Sequence, residues 1–220
     1  MTAVENFPAI LPTIIAVMAL SFIPFIVVMG TAFTKISIVL MLLRNAIGVQ
    51  QAPSGLVINS IALTLTVFVM VPVGNAIITQ VQQQQLGFTG WENVSQLYSV
   101  VSEAFTGYLK QFSSPRELQF FMDAARKMWP ETLHGQITTD NVFILLPAHV
   151  TSELTRAFQI AFLIFLPFVV VDMVVSNILL AMGAMMVPPM LVSLPIKILL
   201  FVAADGWALL LHNLVLSYAR

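Results

Sequence analysis

The sequence predicts an all-α protein of the integral-membrane type, with kinked or broken apolar helices around a small polar helical hairpin region. Three observations carry that prediction. Hydrophobic residues make up 59% of the 220-residue chain and charged residues 9%, where ordinary soluble domains have about 45–50% and about 25%. Ten of the 19 charged residues are gathered between positions 92 and 140, leaving long uncharged runs on either side. Prolines fall inside those runs, at Pro24, Pro72, Pro188 and Pro189, and each removes a backbone donor and crowds the preceding turn. The chain has room for about three or four spans of about 20 residues beside one polar region. The expected division is residues 1–78 for the first apolar helices, 79–140 for the polar region on the periplasmic side, and 141–220 for the last apolar helices.

Taken in order, residues 6–34 carry no charge, and apolar character resumes after Lys35 as far as Leu43. Pro24 predicts a kink within that span. The first Lys or Arg is Lys35 and the start contains Glu5, which does not suit a secretory signal, so the first apolar stretch is expected to be retained. Residues 44–55, "RNAIGVQQAPSG", read as a turn broken by Gly48, Pro53 and Gly55. Arg44 in this short loop predicts a cytoplasmic turn, with the polar region and both termini on the other side. Residues 56–78 form a second apolar stretch of 23 residues, and Gln82, Gln83, Gln84 and Gln85 read as a solvated linker.

In the polar region, Val94, Leu97, Tyr98, Val101, Phe105, Tyr108, Leu109 and Phe112 recur at helical spacing and predict one apolar face. "SSPREL" then predicts a helix start, with Ser114 as cap, Pro115 in the first turn and Glu117 completing a capping box. Leu118, Phe121, Met122, Ala125 and Trp129 continue the stripe until Pro130 ends it. These read as two packed helices joined by a tight turn. The last third returns to apolar character in residues 157–171, 173–196 and 206–219, punctuated by Glu153, Arg156, Asp172, Lys197 and Asp205. "FIPFIVV" from Phe22 echoes "FLPFVVV" from Phe165. The flanking sequence does not extend the match, so no repeat architecture is expected.

Function is sought first in the charges, because a charge facing lipid costs about 2.5–3.5 kcal/mol or more. Lys35, Glu153, Arg156, Asp172, Lys197 and Asp205 must therefore face protein, water or one another. They could form an ion or proton path, or pair structurally between helices or subunits, and the balance of acids and bases favours pairing. The second candidate is "MGAMMVPPM", residues 182–190, which holds Met182, Gly183, Met185, Met186, Pro188, Pro189 and Met190. Methionine fills irregular gaps between helices. Irregular backbone at membrane depth, however, survives only where it is buried in protein or lines a cavity. Core filler and a flexible apolar constriction both fit this segment.

Enzyme signatures are missing. There is no phosphate loop, no G-x-S-x-G elbow and no H-E-x-x-H, and His134, His149 and His212 are isolated by spacing. No catalytic residue, metal site or cofactor is expected. A formal charge of −1 gives no attraction for nucleic acid, and the absence of cysteine excludes disulfides and thiol catalysis.

Three stretches together resemble one family: "GTAFTKISIVLMLLRNAIGVQQAP", "LLPAHVTSELTRAFQIAFLIFLPFVVVDMVVSNILLAMGAMMVPP" and "SLPIKILLFVAADGW". They are similar to the export-gate proteins called SctR in virulence-type type III secretion systems and FliP in the flagellum. The resemblance covers nearly the whole chain apart from the polar middle. It is most specific at "LLRNAIG", "SELTRAF", the "LPF" run ending at Asp172, and "DGW". "GVQQ" and the length resemble SctR, "MVPP" is closer to the flagellar form, and the virulence type is favoured.

The resemblance implies five copies assembling with SctS-like (FliQ-like) and SctT-like (FliR-like) chains into a helical, cone-shaped gate of the bacterial inner membrane, raised towards the periplasm. Unfolded proteins, driven by a separate ATPase and the proton-motive force, would pass through it. The family's methionine gasket falls on Met185 and Met186. Many relatives carry a third methionine where this chain has Ala184, so the seal would be looser, or supplemented by Met182 or partner residues. Asp172, Lys197 and Asp205 match family charges expected to pair between helices or subunits. Two alternatives remain: a four-span transporter or small channel subunit using Lys35, Asp172 and Lys197 as a coupling path, and a structural membrane scaffold.

Overall fold

The computed structural model describes residues 14, 17, 18, 21, 24–49, 52–84, 91–184 and 186–219, with backbone alone for 91–95. The described residues are helical, without strands: α1 (Phe33–Ile47), α2 (Gly55–Gln83), α3 (Trp91–Phe112), α4 (Pro115–Met128), a 3₁₀ segment (Glu131–Gln136), α5 (Val142–Ala181), α6 (Pro189–Ala203) and α7 (Gly206–Leu216).

α1 is the innermost helix. Ile36, Val39, Leu40 and Leu43 are buried on it, and α5, α2 and α6 pack around it. Residues 24–29 are already helical, including Pro24, and the chain bends at 30–32. Gly30 allows that bend, because a Cβ there would overlap the Phe105 ring and stand 2.7 Å from the Ile26 carbonyl. α1 ends on Gly48, whose φ of 90° is the left-handed cap conformation that glycine adopts without penalty.

α2 starts on Ser54, whose hydroxyl accepts from the Val57 N–H, and continues through Pro72 to Gln83. Two of the glutamines read as linker are thus helical. The polar-region helices are joined by Ser113 and Ser114; α3 packs on both α2 and α5, and α4 packs on α5, rather than the two on each other. On α3 the apolar face is buried at Tyr108, Leu109 and Phe112, whereas further back Val100 is buried and Tyr98 and Val101 are exposed.

α5 is one helix of 40 residues, carrying Pro147 and Pro167 within it and starting where the Asn141 side chain accepts from Phe143 N–H. Its length is about 60 Å at 1.5 Å per residue, about twice the hydrocarbon core of a bilayer. α3 and α4 cover its first part, and α6 packs against it further along, where Phe168 meets Phe201. α2 and α5 are each long and apolar enough to cross a membrane, and α6 with α7, bent by 61°, would make a third, broken span. Only 17% of the most apolar window of α2 and of α5 is buried within the chain, so most of those surfaces need lipid or other protein.

Candidate functional site

The methionine segment is a capped turn. α5 ends at Ala181, Gly183 has φ 73°, Gly183 N–H donates to Leu180 O at 3.0 Å, and Ala184 N–H donates to Leu179 O at 2.9 Å. This pair of bonds is a Schellman closure, which satisfies carbonyls that a helix end otherwise leaves open. Val187 N–H then donates to Ala184 O at 3.1 Å. Pro188 and Pro189 begin the next helix, as cap and first residue of α6. A helix start leaves its first N–H groups unpaired, so residues without an N–H suit it. The prolines are therefore a start signal here, and the end of α5 before them is closed within the chain.

What the turn presents is thioether. Met186 is 97% exposed, Met182 74% and Met190 50%; Met185 lies outside the described residues. No charged residue occurs between Met173 and Ile196. The turn is thus uncharged, and the described methionines on it form an apolar projection.

The charges fall into two groups and two leftovers. Glu153 on α5 is fully buried and is the centre of the first group. Arg156 Nη1 donates to Glu153 Oε1 at 2.9 Å and to the Phe112 carbonyl at 2.8 Å. Lys35 Nζ is 3.4 Å from Glu153 Oε2 and sits 3.5 Å over the Tyr218 ring. The Tyr218 hydroxyl donates to the same Oε2. One carboxylate thereby ties α1, α3, α5 and the segment after α7. His149, one turn before Glu153, is buried with its ring 5.6 Å from that of Tyr108. Burial, reinforced by the Glu153 charge, pushes the Tyr108 hydroxyl well above its ordinary pKa. In the second group Lys197 Nζ is 2.6 Å from Asp172 Oδ2 and donates to Ala46 O at 3.2 Å. This pair ties α6 to α5 and α1. Arg44 and Asp205 make no ion pair with a described residue. No group of three or more His, Asp and Glu gathers around a metal-sized site among the described residues.

The sequence profile of the FliP family matches residues 16–214. The chain belongs to the FliP family. It is 47% identical over 205 residues to Yop proteins translocation protein R of Yersinia pestis, covering 93% of this chain and 94% of that one. It is 41% identical over 208 residues to the hypersensitivity response secretion protein HrcR of Ralstonia nicotianae, covering 93% and 95%. It is also 41% identical over 201 residues to virulence protein YscR of Salmonella typhimurium, covering 91% and 93%. These likenesses place it with the SctR-type, virulence-associated members of the FliP family rather than the flagellar ones.

Within this FliP-family chain, Lys35, Glu153, Arg156, Asp172 and Lys197 of the six charges singled out in the sequence stand in these two groups, whereas Asp205, expected to be buried and paired, is exposed and in neither. The sequence reading also missed Tyr218 and the Phe112 carbonyl. Neither carries a local signal. Ser114 departs from its expected role: its side chain makes no cap bond, and its backbone N–H donates to the Ser152 hydroxyl at 2.8 Å.

Proposed function

We propose that five copies of this chain form the core of a type III secretion export gate, together with SctS-like (FliQ-like) and SctT-like (FliR-like) chains. The gate sits in the bacterial inner membrane, raised towards the periplasm, and passes unfolded proteins. The observation that carries this reading is the methionine turn: the helix end before it is closed by hydrogen bonds within the chain, while Met182, Met186 and Met190 project uncovered. Around a common axis, five such turns make a ring of unbranched thioethers. Such a ring can close by apolar contact and reshape around a passing chain, since methionine has freely rotating, polarizable side-chain bonds. Export is then passive at this site, with the driving energy supplied elsewhere.

Met185→Ser together with Met186→Ser increases ion leak through the assembled gate while secretion largely persists. Membrane conductance and secreted protein, measured in the same cells, read the two effects separately. Unchanged conductance removes the constriction. It leaves the scaffold alternative, in which no methionine change causes leak. The transporter alternative is less favoured because its proposed path is closed within the chain: Lys35 is held by Glu153, and Asp172 by Lys197.

A further inference from the structure

Seven charged residues stand in the apolar part of the chain, residues 24–84 and 142–219: Lys35, Arg44, Glu153, Arg156, Asp172, Lys197 and Asp205. Five of them close on one another in the two groups described above. The two left over are one base and one acid. Arg44 stands in the last turn of α1, with its Nε shielded from solvent and without a hydrogen-bond partner. Asp205 lies at the bend between α6 and α7 and is exposed. It is the one non-glycine residue with positive φ, at 50°, among the described residues. Although it occupies the cap position of α7, its carboxylate caps no N–H of that helix. A short carboxylate held in a left-handed conformation without serving its own helix is set up for something outside it.

We propose that Arg44 of one copy pairs with Asp205 of the next around the ring. This inference rests on the ring reading above and assigns one contact that closes it. A head-to-tail interface joins different residues of identical chains, and these two residues carry opposite charges. The arithmetic favours a second copy over any other occupant. A lipid phosphate on Arg44 would leave Asp205 unpaired, and a partner's lysine on Asp205 would leave Arg44 unpaired. Pairing identical copies satisfies both at every interface within a run of them. A carboxylate with both oxygens open also matches the forked guanidinium.

The chain contains no cysteine, so introduced thiols report without background. Full-length Arg44→Cys and Asp205→Cys copies are co-expressed with the SctS- and SctT-like chains, then treated in membranes with a short bismaleimide. That reagent spans the Cβ separation of an Arg–carboxylate pair, which exceeds disulfide reach. The expected product is a dimer joining one variant copy to the other, and a ladder when both cysteines are on every copy. A link within one chain in the double variant, with no dimer from the mixed copies, overturns the proposal. Charge reversal gives a second reading that does not depend on cysteine. Arg44→Asp and Asp205→Arg each lower recovery of the ring about tenfold or more, in line with leaving one buried charge partner unpaired, and the two together restore it. Failure of the double reversal to restore the ring also overturns the proposal. Native mass of the unsubstituted complex separates the two levels. Absence of a ring there removes the ring reading itself, whereas a ring without the 44–205 link or charge rescue removes only this contact.

Discussion

At the scale of single residues, the fully buried Glu153 holds two cations, Lys35 buried beside it and Arg156 at the edge of the solvent. Removing its charge takes from Lys35 and Arg156 the anion they share, and breaking a buried ion pair from one side costs about 3–5 kcal/mol. Glu153→Gln therefore lowers the thermal midpoint of the detergent-extracted chain sharply. Tyr218→Phe removes one charged hydrogen bond but keeps the ring under the Lys35 ammonium, so it costs less, about 1.5–3 kcal/mol. A thermal-shift series on the two variants checks the order, and a larger loss for Tyr218→Phe would make the Tyr218 hydroxyl, rather than the Glu153 charge, the organiser of the group. The sequence made this group half visible. Charges in apolar runs stand out because of their transfer cost, and Glu153 and Arg156 are one helical turn apart. Tyr218 is compatible with any apolar helix end, and its partner is 65 residues away. Ser114 shows the converse: a good local capping signal yields to a tertiary acceptor on Ser152.

At the scale of elements, the charges mark contacts rather than boundaries. Asp172 looked like punctuation between two apolar stretches, yet α5 runs through it, because Lys197 from α6 supplies the countercharge without interrupting the helix. Pro147 and Pro167 likewise sit inside α5. Reading breaks from prolines alone thus fails where surrounding helices compensate, and succeeds at Pro188 and Pro189, where Gly183 has already closed the preceding helix. Gly183 is what holds the turn at its first corner. A Cβ there meets nothing within 4 Å, so the whole cost of Gly183→Ala lies in its φ of 73°, about 1–2 kcal/mol. The expected outcome is faster amide exchange at residues 183 and 184, with Gly183→Asn milder because asparagine tolerates the left-handed region. Equal protection in the alanine variant would mean that neighbouring residues, not the Schellman closure, fix the turn.

At the scale of the whole molecule, the apolar surface is arranged for company. α5 is about 60 Å long, while a bilayer offers about 30 Å of hydrocarbon, so lipid can cover only part of its outer face. Large apolar side chains such as Leu154, Phe158 and Phe162 remain exposed along its middle turns, and Val170, Val174 and Ile178 nearer its end. Composition announced that such surface exists, but periodicity could not say what covers it: with apolar residues on every side, a helix sheathed by protein and one sheathed by lipid read alike. The distinction is measurable. If other subunits cover these faces, detergent bound per copy falls when the isolated chain enters the complex with its SctS- and SctT-like partners. Sedimentation with combined absorbance and refractive-index detection gives that quantity for both states. A clear fall locates the missing contacts between subunits, where Arg44 and Asp205 also need them. Unchanged detergent per copy would return α2 and α5 to the lipid, and the export-gate architecture would have to be built without them.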